Sequence, residues 1–212
     1  MHAALKLFPL ALPLVLLASS VSAQSITFGL RGTGSFPTGD FAADPTSTNS
    51  AVIQGAKQGF GYGAEVGLSM GPIGAYGSFD HIAFDCQTTA CSSNGEYTLQ
   101  GVTVGLKLMT PTVSLFRPFI KGGVTFNDLK GSYGGTSTSS GLTTDRAPGY
   151  EVGVGADLNV LGLVSIEPQV RYVGQNFKAK VPGVTNTSTV PSSGVNFFTF
   201  DLGLALHLPF GM

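Results

Sequence analysis

The chain has 212 residues, a formal net charge of −1 and only 11% charged residues, so it has no basic field for nucleic acid and no acidic tail. Its length fits a single domain. Mean hydropathy is positive at +0.27, yet no stretch after residue 23 reaches the roughly 18 uninterrupted apolar residues of a spanning helix. The apolar character of the chain therefore needs another structural explanation.

The first 23 residues have the pattern of a secretory signal peptide. A short basic start precedes an apolar run over residues 7–17, and Val21-Ser22-Ala23 offers residues at the spacing that signal peptidase needs. The apolar run is short and contains proline, which argues against a membrane anchor. We therefore predict a signal peptide over 1–23, cleavage after Ala23, and one exported domain over 24–212.

Eight segments of the exported domain alternate apolar and polar side chains with a period of two, which is the pattern of a β-strand. In the sixth segment, for example, Val152 and Val154 oppose Glu151 and Asp157. The third segment is less regular, and its tail from His81 onward predicts a bulge or a frayed end. In chain order the segments are 26–36, 59–70, 73–84, 97–109, 116–127, 150–160, 164–173 and 195–210.

The connections between these segments alternate in length. Those after the second, fourth and sixth segments are short, whereas those after the first, third, fifth and seventh are long and rich in Ser, Thr, Gly and Pro. Tilted strands of about ten residues span a bilayer, and short turns at one rim with long loops at the other are typical of outer-membrane barrels. The sequence predicts an all-β fold: a single up-and-down antiparallel transmembrane β-barrel of about eight strands, with both ends in the periplasm.

The position of the charges indicates which face is inside. A charged side chain that points at the bilayer midplane costs about 2–4 kcal/mol for Arg or Lys, and the apolar faces of the segments carry none. A soluble, lipocalin-like barrel would instead enclose all these charges and expose a continuous apolar belt to water. We therefore predict a network of paired charges in the lumen. Its members are Arg31, Glu65, Asp80, Lys107, Arg117, Lys121, Glu151, Asp157, Glu167, Arg171 and Asp201.

Aromatic side chains lie at the strand ends beside the long loops, where an outer-membrane barrel has an aromatic girdle. Aromatics are also common in strands of every kind, which could explain several of them. The predicted girdle residues are Phe36, Phe60, Phe84, Phe126, Tyr150, Tyr172 and Phe198.

The sequence resembles the OmpA-like family of small outer-membrane β-barrels, which includes the opacity-type proteins. The resemblance covers the exported domain and rests on the alternating strands, the FRPFIKGGVTF and YEVGVGADLNV stretches, and a last strand that ends in an aromatic residue. It implies a place in the bacterial outer membrane, contact with outer-membrane lipid, and assembly by the barrel-assembly machinery. In that family the last strand is the assembly signal, and its general form is matched here by Gly203, Leu206, Leu208 and Phe210.

Cys86 and Cys91 lie in the second long loop. Two nearby cysteines in an oxidising compartment predict a disulfide. A metal site built on them lacks further Cys or His ligands nearby, so we predict neither a metal nor a cofactor.

Three functions fit such a barrel. The lumen of about eight strands is just wide enough for side chains to fill, so the charges are expected to plug it, with a narrow channel for small solutes as the alternative. A lipid-modifying enzyme is a weaker alternative, because the only histidines of the exported domain, His81 and His207, offer no nucleophile, base and orienting group together. The long loops favour a structural or adhesion-type role through an extracellular ligand.

Overall fold

The computed structural model describes residues 24–44, 53–86, 95–110, 115–132, 142–180 and 192–210, and its strands form one antiparallel sheet. The predicted signal peptide lies outside these residues. A three-residue 3-10 turn, Gly39–Phe41, follows the first strand. The strands are β1 (Gln24–Thr38), β2 (Ala56–Met70), β3 (Ile73–Cys86), β4 (Glu96–Met109), β5 (Phe116–Ser132), β6 (Leu142–Thr144), β7 (Ala147–Leu161), β8 (Val164–Lys180) and β9 (Ser192–Phe210).

The sheet closes on itself as an up-and-down barrel. Each long strand pairs with its neighbours in the chain, and β9 pairs with β1 to complete the wall. The short β6 pairs with β5 and β8 beyond the outer end of β7, so β6 and β7 together occupy one position in the wall. The closed eight-stranded antiparallel barrel confirms the predicted fold class. Within the described residues, no helix has the length and apolar character needed to cross a bilayer.

The strands are staggered around the barrel. Paired residues traced from Phe28 around the wall lead to Asn196 on β9 and return to β1 at Thr38, which lies ten residues beyond the starting point at 28. In a closed sheet such a stagger accompanies a strand tilt of roughly 35–45°. An eight-stranded barrel of this kind leaves an interior that side chains can fill completely.

Two tight turns lie at the same rim of the barrel as the first residue of β1 and the last residue of β9. Gly71 and Gly162 begin the β2–β3 and β7–β8 turns, and their φ angles of 62° and 61° lie in the left-handed region that favours glycine. Gln24 pairs with Met70 on one side and with Phe210 on the other, at this same rim. We call it the turn rim, and the opposite end of the barrel the loop rim.

The outer surface of the wall is apolar between the rims. Large side chains are exposed on most strands, including Leu30 (71%), Val104 (55%) and Leu202 (64%). A continuous belt of this kind exceeds what a water-soluble monomer exposes, whereas it matches the hydrocarbon layer of a membrane. The outward belt agrees with the orientation that the charges predict.

The third strand is longer and more regular than its sequence pattern suggests. The bulge or frayed end predicted from His81 onward is wrong, because β3 continues to Cys86 and Asp85 still pairs with Glu96 of β4. A register shift lies instead in β2, at the outer end beside β3.

The cause of this error is an exchange of polarity between the two faces of the strand. Beyond Asp80 the alternation continues, but Ile82 and Phe84 are buried inside, whereas Asp85 is exposed outside. The outer ends of the strands therefore follow the rule of a water-soluble barrel, with apolar residues inside.

Glycines in the wall make room for the charges of the lumen. Gly63 pairs with Arg31 on one side and Asp80 on the other, so it separates the two charged residues at the same level of the barrel. A Cβ at Gly63 would lie 2.6 Å from Asp80 Oδ1, 2.8 Å from the Phe79 carbonyl oxygen and 2.9 Å from Arg31 Nε.

We expect Gly63→Ala to lower the free energy of unfolding by about 1–3 kcal/mol, the usual cost of overpacking a filled interior. Urea titration of the refolded barrel, followed by heat-modifiable gel mobility, measures this change. Gly32→Ala is the matched control, because a Cβ on this exposed glycine of the adjacent strand meets no described atom within 4 Å. Equal stability of the two variants would contradict the packing argument.

Candidate functional site

The buried charges of the lumen converge on Arg171. Its side chain is only 1% exposed and contacts carboxylates from three other strands. Arg171 Nη1 lies 2.7 Å from Glu151 and 3.2 Å from Asp80, and Nε lies 2.6 Å from Asp201. Thr33 also donates a hydrogen bond of 2.6 Å to Asp201. The planar fork of arginine suits such contacts, because its N–H groups point in several fixed directions.

Glu65 forms a second centre beside the first. Its carboxylate lies 3.0 Å from Arg31 Nη1 and 2.9 Å from Lys121 Nζ. The same two cations reach the first centre, since Arg31 Nη2 is 2.8 Å from Asp80 and Lys121 Nζ is 3.5 Å from Glu151. The two centres therefore form one continuous network, in which each buried charge has an opposite charge beside it.

Two further ion pairs lie nearer the turn rim. Lys107 Nζ donates to Glu167 at 2.9 Å and is 3.9 Å from Glu65, and Arg117 Nη2 donates to Asp157 at 3.2 Å. The Arg117 side chain is 28% exposed and is the most accessible of the lumen charges. With these pairs, the structure places every predicted lumen charge inside the wall.

His207 joins this end of the lumen in an arrangement that resembles a hydrolase triad only by residue type. Ser165 Oγ and Asp157 Oδ2 both lie beside the same ring atom, Nε2, at 2.6 Å and 3.3 Å, whereas Nδ1 faces Thr27 Oγ1 at 3.1 Å. In a triad the nucleophile and the acid contact opposite nitrogens. Ser165 is also 0% exposed, so no substrate carbonyl can reach its oxygen in this geometry.

An apolar layer fills the lumen on the loop-rim side of the charges. The sequence pattern does not predict this layer, because its residues lie at inward positions that are polar elsewhere in the barrel. The apolar layer consists of Phe41, Ile53, Ala56, Ile82, Phe84, Cys86, Tyr97, Leu99, Leu129, Val173, Phe177, Val195 and Phe197.

Two residues of the apolar layer come from the connection between β1 and β2. The ring of Phe41 packs against Tyr97 with centroids 5.8 Å apart, and Ile53 is completely buried. Hydrogen bonds hold the connection in place: Tyr97 Oη donates to the Gln54 carbonyl at 3.1 Å, and the Ile53 amide donates to Ser193 Oγ at 3.3 Å. The first loop thus contributes side chains that close the barrel mouth.

The prediction that Phe84 belongs to the outer aromatic girdle is wrong. Phe84 is 0% exposed and packs inside the barrel against Phe41 and Phe197, with ring centroids 5.1 Å and 5.2 Å away. The strand alternation does carry the signal, because Phe84 shares its parity with the inward Asp80. The other predicted girdle residues lie on the outer face, and Tyr172 packs against Tyr150 and Phe198 there.

Two other predictions concern the strand ends. Cys86 is the last residue of β3, but Cys91 lies outside the described residues, so the disulfide stays a prediction. The proposed assembly signal lies on β9, the strand that closes the wall against β1. Leu206 and Leu208 are each 39% exposed on the outer face, and Gly203 is buried at an inward position of the strand. Phe210 ends the strand.

A closed barrel with an apolar outer belt and paired charges inside defines the class of transmembrane β-barrel proteins. The sequence matches the family described as "Outer membrane protein beta-barrel domain" over residues 10–210. The chain belongs to this family, and its place is the bacterial outer membrane. No curated protein sequence matches the chain.

Solved structures share this fold at low sequence identity. The crystal structure of Neisserial surface protein A is similar with a TM-score of 0.55 and 13% identity, and the match covers 86% of this chain and 96% of that one. The outer membrane protein OprG from Pseudomonas aeruginosa is similar with a TM-score of 0.57 and 15% identity, covering 88% and 96%. At such identities the likeness shows the fold alone.

We expect Arg171→Met to lower the free energy of unfolding by about 3–5 kcal/mol, because it leaves three buried carboxylates without their shared cation. The measurement is urea unfolding of the refolded barrel in detergent, followed by gel mobility. Arg146→Met is the control: this side chain is 59% exposed and lies 3.6 Å from Asp128, so its loss should cost less than about 1 kcal/mol. Similar costs for the two variants would mean that the buried network does not stabilise the barrel.

Proposed function

We propose that this protein is a closed outer-membrane scaffold that presents its long loops for binding at the cell surface, an adhesion-type role. The observation that supports the proposal is the filled lumen. Paired charges occupy its middle, and the apolar layer occupies the end beneath the loops. A barrel without an open lumen has its rims and loops left for function, and rigid scaffolds commonly carry binding residues on loops.

The two layers oppose passage of solutes for different physical reasons. An ion that enters the apolar layer loses its water and finds no polar partner there, which is costly. A polar solute that reached the charges would have to separate Arg171 from carboxylates 2.6–3.2 Å away. Both barriers lie in series along the same lumen, so the narrow channel is the less favoured function.

Catalysis is also less favoured than the adhesion-type role. The lumen holds a serine, a histidine and an aspartate close together, but Ser165 is buried and competes with Asp157 for one nitrogen of His207. A lipid substrate would approach from the apolar outer face, whereas these groups point inward near the turn rim. We propose that the barrel has no enzymatic activity.

The proposed partners follow from the membrane setting. The apolar belt contacts outer-membrane lipid, and the barrel-assembly machinery recognises β9 during biogenesis through the pattern of Gly203, Leu206, Leu208 and Phe210. The extracellular ligand of the loops is a partner that recognises polar, Ser- and Thr-rich segments. Nucleic acid is not among the proposed partners, because the net charge of −1 provides no basic field for it.

In planar lipid bilayers we expect negligible conductance from the purified barrel, because both layers block the lumen. A general porin reconstituted in the same way serves as the positive control, and gel mobility of the same preparation verifies that the barrel is folded. Stable unitary channels of porin size would contradict the closed-scaffold proposal.

Replacing residues 133–141 and 181–191 by short Gly-Ser linkers tests the adhesion role. We expect the variant to fold and to keep its heat-modifiable mobility, because the described strands of the wall lie outside these segments. Adhesion of expressing cells to extracellular-matrix components should fall to the level of cells without the protein. The matched control replaces residues 111–114, which lie in the sequence between the end of β4 and the start of β5. Unchanged adhesion in the first variant would contradict the proposed role.

A further inference from the structure

Three adjacent strands bring possible metal ligands together near the turn rim. Asp157 of β7, Glu167 of β8 and His207 of β9 each present a ligand atom, and these atoms all lie within 4.8 Å of one another. The hydroxyl of Ser165 is beside them, 2.6 Å from His207 Nε2. One imidazole nitrogen and carboxylate oxygens are ligands that divalent transition metals accept.

The two carboxylates retain oxygens that are not engaged by the neighbouring cations. Lys107 Nζ bonds to Glu167 Oε1, and Arg117 Nη2 bonds to Asp157 Oδ2. These bonds engage Glu167 Oε1 and Asp157 Oδ2 and leave the other oxygen of each carboxylate for a further ligand. The side chains of Asp157 and Glu167 are 4% and 11% exposed.

The imidazole of His207 is held so that one nitrogen faces the carboxylates. Thr27 Oγ1 lies 3.1 Å from Nδ1, and Nε2 lies 3.3 Å from Asp157 Oδ2. When Nδ1 donates its proton to the threonine oxygen, the lone pair of Nε2 faces Ser165 Oγ and the Asp157 carboxylate, and a cation bound at Nε2 would replace the hydrogen bond from the serine hydroxyl. Hydrogen bonds of this kind from the second nitrogen commonly orient histidine ligands in metal sites.

The cluster is also accessible. The side chain of His207 is 16% exposed and that of Arg117 is 28% exposed, whereas the charges around Arg171 are sealed. A small cavity lined by Thr27, Lys107, Arg117 and His207 adjoins the cluster. The partly exposed His207 and Arg117 therefore mark the turn rim as the side from which an ion would reach the cluster.

We propose that Asp157, Glu167 and His207 bind a divalent transition-metal ion at the periplasmic end of the lumen. Three protein ligands and one water satisfy a tetrahedral ion such as Zn²⁺, after side-chain rotations that bring the ligand atoms closer together. Ca²⁺ fits poorly, because it prefers six to eight oxygen ligands. Lys107 and Arg117 keep one oxygen of each carboxylate, so the ion uses the other oxygens. Bound there, it ties β7, β8 and β9 together.

Equilibrium dialysis of the mature barrel with Zn²⁺ tests the site. The protein is purified in detergent without a histidine tag, stripped with EDTA and dialysed. We expect one Zn²⁺ per barrel, with Ca²⁺ unable to displace it. His207→Gln and Glu167→Gln should each weaken Zn²⁺ binding by roughly tenfold or more. Gel mobility before and after boiling verifies the fold of each variant.

His81→Gln is the matched control, because His81 lies on β3 and stacks on the outward-facing Tyr62, 5.2 Å between ring centroids. This variant should bind Zn²⁺ as the wild type does. The site is refuted if either lumen variant binds Zn²⁺ with wild-type affinity, or if Ca²⁺ competes equally well. Loss of binding in His81→Gln but not in His207→Gln would place the zinc on the outer surface and would also refute it.

Discussion

The fully buried guanidinium of Arg171 is the constraint on which the interior of this barrel depends. A charge sealed from water must have opposite charges within hydrogen-bond distance, and here they come from β3, β7 and β9. The wall must also leave space for it. Gly153 lies between Lys121 and Arg171 in the sheet, and a Cβ there would be 2.9 Å from Arg171 Cγ. Charge pairing and glycine placement are therefore two parts of one requirement.

The barrel meets two different solvents along its length, and its interior changes accordingly. Where lipid surrounds the wall, the outside is apolar and the inside holds the ion pairs. Beyond that belt the outer face turns polar, with Asn176 and Lys178 exposed, and the inside becomes the apolar layer around Phe177. The hydrophobic effect thus stabilises the loop-rim end as it does a soluble protein, whereas ion pairs and hydrogen bonds fill the membrane-embedded part.

A period of two along each strand is enough to predict which face a residue occupies, and therefore the fold class and the inward charges. It does not show the depth of a residue in the barrel. Phe84 has the parity of Asp80, which predicts an inward side chain. An aromatic residue near the end of a strand also fits the outer girdle, and this second pattern gives the wrong prediction. The contact partners were also out of reach: Arg171 and Asp80 are 91 residues apart, and only the stagger of the closed sheet brings them together.

The two ends of the lumen consequently offer different chemistry. On the loop-rim side, Phe41 and Ile53 complete an apolar layer that separates the buried charges from the loop rim. On the turn-rim side no such layer lies over Arg117 and His207 among the described residues, and both side chains remain partly exposed. Among the described residues, the ionisable groups of the lumen are therefore accessible from the turn rim and covered on the loop-rim side. This difference between the two ends follows from the position of the apolar layer, which covers the lumen charges on one side only.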